Sequence, residues 1–139
     1  MPGSDSPPPF AIRFRAGGKR APSDPAEPQD RLYQRTLELS ALVAGLADDL
    51  EVARFHLRDR LDRNATHLAV SCGRAAGEPV PAERRRAYRD AKPVAHECGS
   101  LLDIISLRLR RAGRDLKLVD EAKAVLAEII AALEHLASR

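Results

Sequence analysis

The chain has no tryptophan, and aromatic residues make up only 4% of its 139 positions. A ligand cavity lined with rings, or a platform of rings for stacking single-stranded bases, is therefore not expected. Cysteine is equally scarce: Cys72 and Cys98 are too few for the disulfide framework of a small secreted domain. No apolar run approaches the roughly 18 residues of a membrane span. The N-terminus sets prolines and Asp5 where a signal peptide carries its apolar stretch. The expectation is a cytoplasmic protein that does not enter membranes.

Neither sign of charge dominates. Lys plus Arg number 23 against 20 Asp plus Glu, a formal net charge of +3. Lysine is the rare cation, confined to Lys19, Lys92, Lys117 and Lys123, so the basic set is mostly arginine. Arginine pairs with phosphate and carboxylate through two parallel hydrogen bonds and stacks on bases. A GC-rich genome would produce the same bias without any function.

What the chain does contain falls into two regions. Seven of the ten prolines and three of the eight glycines precede residue 30, so residues 1–29 read as a disordered Pro-rich tail. Within it Phe10, Ile12 and Phe14 alternate with Ala11, Arg13 and Arg15, a pattern that could add a strand to a partner. Residues 30–139 read as amphipathic helices. Leu32, Thr36, Leu39, Val43, Leu46 and Leu50 recur at spacings of four and three, with Asp30 as N-cap. A second row, Tyr33, Leu37, Ser40, Ala44 and Ala47, widens the stripe to the breadth a bundle core needs.

A short turn near residues 48–53 separates this helix from a second, carrying Leu57, Leu61, Ala65, Leu68 and Cys72. The segment Gly73 to Pro81, with Gly77 and Pro79, reads as a loop. Pro81 then opens a third helix bearing Ala87, Ala91, Val94, Cys98, Leu101, Ile105 and Leu109. Pro93 should kink or locally open it, and Gly113 should close it in a left-handed cap. The fourth helix is the clearest, with Val119, Ala122, Leu126, Ile129, Leu133 and Leu136 on one stripe. Four such helices with short connections predict an all-α, antiparallel up-down-up-down bundle.

Chemistry is harder to find than fold. His56, His67, His96 and His135 lack the Glu-x-x-His spacing of a helical metal site. Cys72 and Cys98 fall on apolar stripes and read as small core hydrophobes. No metal, cofactor or nucleophilic triad is expected. Arg60, Arg63, His67 and Arg74 share one stripe of the second helix. Arg60 followed by His67 resembles the catalytic pair of HEPN ribonucleases, themselves helical bundles. That resemblance implies His67 as general base on a 2′-hydroxyl and Arg60 stabilising the phosphorane. Leu61, after Arg60, stands where that family usually has a polar residue.

Two further arginine clusters frame the third helix. Arg108, Arg110, Arg111 and Arg114 lie at its C-terminus, where the helix dipole favours cations. Arg84, Arg85, Arg86 and Arg89 lie near its N-terminus, where the dipole disfavours them. A local cost of that kind points to an anionic partner such as a phosphate backbone; a solvated charged face is the plainer reading.

Several short stretches carry a family likeness. They are Leu32-Tyr33-Gln34-Arg35 with Glu38-Leu39, Arg54-Phe55-His56-Leu57, Leu61-Asp62-Arg63-Asn64-Ala65 running to Gly77, Gly99-Ser100-Leu101-Leu102-Asp103-Ile104, and Arg110-Arg111-Ala112-Gly113. In these the chain resembles the four-helix-bundle proteins encoded within ribosomal-RNA intervening sequences, relatives of the accessory variability determinants of diversity-generating retroelements. It departs from them at His67-Leu68-Ala69-Val70-Ser71, where the family has a Ser-x-Pro-Ser-Asn run, and at Cys98, usually Arg. The resemblance implies a non-enzymatic homo-oligomer, often a pentameric ring, which in the retroelement branch binds nucleic acid and a reverse transcriptase.

The expected function is thus binding of RNA or DNA backbone by an oligomeric bundle, with Arg60, Arg63, Arg84, Arg85, Arg86 and Arg89 as contacts. An adaptor that recruits a client through its tail, and a HEPN-like ribonuclease, are the alternatives.

Overall fold

A computed structural model of the protein describes residues 27–48 and 55–138. The Phe10–Ile12–Phe14 alternation and the turn expected near 48–53 lie outside the described residues, except for Asp48. Four helices account for nearly all the rest: α1 (Pro28–Asp48), α2 (Phe55–Ala76), α3 (Pro81–Arg111) and α4 (Lys117–Ser138). Each packs on two neighbours, in the cycle α1–α2–α3–α4–α1, and no diagonal pair touches among the described residues.

Cross-helix contacts fix the directions. Lys92 meets Glu134 and Lys123 meets Asp103, so α3 and α4 are antiparallel in a single register. Arg60 meets Glu97 and Cys72 lies near Tyr88 across α2 and α3, while Arg35 meets Glu128 and Gly45 faces Leu118 across α1 and α4, so each pair is again antiparallel. The remaining pair, α1 and α2, must then be antiparallel too. The all-α, up-down-up-down bundle is the fold.

The core follows the apolar stripes. Every stripe residue expected of α2 and α4 is buried, as are Leu32, Thr36, Leu39, Val43 and Leu46 of α1. Thr36 is tolerated at 0% exposure because its hydroxyl donates to the Tyr33 carbonyl at 2.6 Å. The second row of α1 is only partly inward: Tyr33 is buried, Leu37 and Ser40 are half-buried, and Ala44 is exposed. In α3 the buried seam is Tyr88, Ala91, Ala95, Cys98, Leu102, Ile105 and Leu109, with Leu101 beside it, while Ala87 and Val94 sit at its margin. Burial pushes the thiols of Cys72 and Cys98 up to about 12, so both are neutral core groups.

Four local expectations are corrected. First, α1 begins at Pro28, with Arg31 N–H donating to the Glu27 carbonyl, so Asp30 lies in the first turn and is no N-cap. Proline needs no N–H at a first helical position, which is why the helix can start there. Second, α2 runs through Gly73 to Ala76, because Ala75 extends the buried stripe one more turn beyond Cys72. The turn comes only at Gly77, whose N–H donates to the Arg74 carbonyl. Third, α3 is helical throughout Pro81 to Arg111, so the local opening expected at Pro93 does not occur. Pro93 is exposed, so the Arg89 carbonyl it deprives of a partner is on the side where water can replace the lost bond. Fourth, the Ala44 position narrows the α1 stripe, as noted. The expected cap holds: Gly113 has φ +70°, with Gly113 N–H bonded to the Arg110 carbonyl and Arg114 N–H to the Leu109 carbonyl.

Candidate nucleic-acid interface

The antiparallel order gathers the start of α1, the end of α2, the start of α3 and the end of α4 at one end of the bundle. Arg84, Arg85, Arg86 and Arg89 stand there. Two hydrogen bonds tie the preceding loop to their helix: Glu78 accepts from the Val80 N–H through its carboxylate, and Arg84 Nη1 donates to the Glu78 carbonyl at 2.8 Å. Arg89 Nη1 makes a long bond, 3.4 Å, to the Ala137 carbonyl at the end of α4. Neither contact neutralises charge. Arg85 and Arg86 make no hydrogen bond or ion pair with any described residue.

Arg60 and Arg63 are placed differently. They lie on α2 near its start, and Arg60 Nε meets Glu97 at 2.5 Å, while Arg63 meets Asp59 at 3.2 Å. The Asn64 amide and the Arg60 guanidinium beside it hold the Glu97 carboxyl below its ordinary range. The Asn64 Nδ2 is buried and turned toward no described acceptor at full hydrogen-bond geometry. Glu97 lies eight residues past Arg89, about 12 Å along α3. The six arginines therefore form a cluster of four and a separate, acid-paired two. His67 is exposed, seven residues or about 10 Å along α2 from Arg60. Arg74 is exposed near the four-arginine end.

That same end contains a cavity of about 400 Å3, lined by Glu27, Pro28 and Gln29 from the start of α1, Arg84, Arg85 and Tyr88 from α3, and Leu136 from α4. Tyr88 is 1% exposed, and its hydroxyl has no hydrogen-bond partner among the described residues. Burial above all pushes its phenol well above the ordinary value, with Cys72 and Asp30 adding to the rise and Arg84 opposing it. The group is a neutral O–H donor.

Sequence reasoning missed Tyr88. The signal existed: the series 88, 91, 95, 98, 102, 105, 109 alternates three and four throughout, whereas one started at Ala87 does not land on Leu102.

Among the described residues no group of three or more His, Cys, Asp or Glu could hold a metal ion, and no helix is long and apolar enough to cross a membrane. No family model, curated protein or solved structure matches the chain, so its function has to be read from its own residues.

Proposed function

We propose that the protein is a non-catalytic, self-associating helical bundle that binds the phosphate backbone of RNA or DNA through Arg84, Arg85, Arg86 and Arg89. The observation that carries this reading is the contrast in pairing. Arg35, Arg60, Arg63, Lys92 and Lys123 each face a carboxylate within 4 Å, whereas the cluster at the start of α3 faces none among the described residues. Four adjacent uncompensated guanidiniums raise the local potential and repel one another, a cost that an approaching polyanion relieves. The scarcity of aromatics supports backbone contact in place of base stacking. The resemblance to the intervening-sequence proteins supports the same reading and adds the ring and, as partner, a reverse transcriptase.

Anisotropy titration of labelled single-stranded RNA and duplex DNA tests the binding. Neutralising about four phosphates should cost roughly a hundredfold in affinity between about 50 and 200 mM salt. The triple substitution Arg85→Gln, Arg86→Gln, Arg89→Gln should flatten the log–log slope by about three. Arg60→Gln with Arg63→Gln should flatten it less, because those guanidiniums already face acids. Salt-independent binding, or a slope untouched by the triple change, overturns the backbone reading. Light scattering tests the assembly: a species of 15.2 kDa alone removes self-association.

A further inference from the structure

The end of α3 carries apolar side chains where the bundle core cannot use them. Each helix packs on two neighbours and no diagonal pair touches among the described residues, so α3 stands at a corner and its side away from the core is a convex ridge. Leu107 lies two residues from buried Ile105 and two from buried Leu109, about 200° around the helix from each, so it points out along that ridge. It is 54% exposed, and Ile104, about one turn earlier on the same side, is 40% exposed. The other large apolar side chains left exposed among the described residues, Val70 and Val80, stand singly on α2 and on the loop before α3 and need no partner.

Charge narrows what covers the pair. From Ile104 to Arg111 the chain holds three arginines and no acid. Arg108 and Arg110 flank the ridge on opposite sides, and Arg111 sits on it about one turn beyond Leu107. All three are exposed and their guanidiniums face no carboxylate among the described residues, whereas Asp103 just before them is held by Lys123 at 3.1 Å. The helix dipole accounts for cations at this end but not for the apolar pair beside them. A second copy would set arginine against arginine. Two half-exposed side chains also fall far short of the ~800 Å2 per partner of a stable protein interface, and a ridge offers no groove to a peptide helix. A nucleic-acid backbone would leave the apolar pair wet. A bilayer surface needs no matched shape: apolar knobs sink toward the acyl chains while cations meet anionic headgroups. From this arrangement we propose that the α3 ridge around Ile104, Leu107, Arg108, Arg110 and Arg111 adsorbs to the surface of an anionic lipid bilayer without crossing it. Ile104 lies fifteen residues past Arg89, about 22 Å along α3, so this face stands independently of the nucleic-acid reading.

Flotation of the full chain with phosphatidylcholine vesicles, with and without about a third phosphatidylserine, tests the proposal. Binding should appear with the anionic lipid and be weaker by about tenfold or more without it. Ile104→Gln with Leu107→Gln should weaken vesicle binding about tenfold. Both side chains are exposed, so the melting temperature and RNA binding should stay as in the parent. Arg108→Gln, Arg110→Gln and Arg111→Gln together should weaken vesicle binding on the order of a hundredfold, about fivefold for each charge. The chain has no tryptophan, so Leu107→Trp supplies a single reporter whose emission should shift to the blue on anionic vesicles as the ring leaves water. No binding to anionic vesicles overturns the proposal, as does equal binding to both vesicle types. An unshifted tryptophan, or full binding by the glutamine pair, means charge attraction alone and overturns it as well. If the triple arginine change weakens RNA binding and vesicles are ignored, this end belongs to nucleic acid and the proposal falls.

Discussion

At the scale of single residues, the bundle's interior holds its ionisable groups in their neutral forms. Cys72 and Cys98 are 1% and 0% exposed, and their thiols are raised from the ordinary 9.0 to about 12 by burial. A thiol whose value is higher folded than unfolded holds its proton more tightly in the folded chain. Its contribution to stability is complete below about pH 9, where both states are protonated, and is lost as the pH climbs toward 12. Tyr88 shifts in the same direction and adds to the loss at the upper end. The melting temperature should therefore fall progressively above pH 9, and Cys72→Ser with Cys98→Ser should show a smaller alkaline fall. An aromatic disulfide reagent at pH 8 should leave both thiols unmodified until denaturant is added, since the thiolate is the reactive form. Rapid reaction of either cysteine in the native protein would show that the core opens locally there.

At the scale of elements, helix ends decide what could be read in advance. Interiors were legible because burial forces spacings of three and four, and α4 matches its stripe at every position. Boundaries were less so, since they depend on which competing signal wins. Gly73 looked like a terminator, yet burial of Ala75 outweighs the cost of about 1 kcal/mol that glycine imposes inside a helix. Pro93 pointed to a local opening inside α3, yet its exposed position lets water replace the lost bond and the helix runs on. The arginine cluster was legible as a run of like charge, but its separation from Arg60 and Arg63 was not, because Glu97 is 37 residues from Arg60 in sequence. Gly113 shows a boundary that sequence did settle. Its φ of +70° suits glycine best, and a Cβ there would meet nothing within 4 Å. Gly113→Ala should thus cost about 1–2 kcal/mol through backbone strain alone, read as a shift in the denaturant midpoint. Gly113→Asn should cost less, as asparagine enters the left-handed region more easily. Equal stability of the alanine variant would mean the α3 end can close without the left-handed residue.

For the whole molecule, the cyclic arrangement of neighbours makes one core of four stripes, and no helix can keep its apolar face dry alone. Leu102 and Ile105 of α3 are 0% exposed, as are Leu39 of α1, Leu68 of α2, and Ile129 and Leu133 of α4. Truncating Leu102→Ala removes contacts that the antiparallel packing shares among several helices, leaving a cavity that rigid neighbours fill only in part. The cost should be about 2–5 kcal/mol, a large share of the 5–15 kcal/mol or so that holds a domain of this kind together. Because the core is shared, the loss should not melt α3 by itself. Helicity followed by circular dichroism and exposure of Cys72, which sits on α2, should fall and rise at one denaturant midpoint, lower than in the parent chain. Two separated midpoints, with Cys72 exposed well before the helical signal is lost, would mean that the helix pairs unfold independently. The arginine end, where the start of α3 meets the start of α1 and the end of α4, would then lose the common frame on which the proposed backbone binding depends.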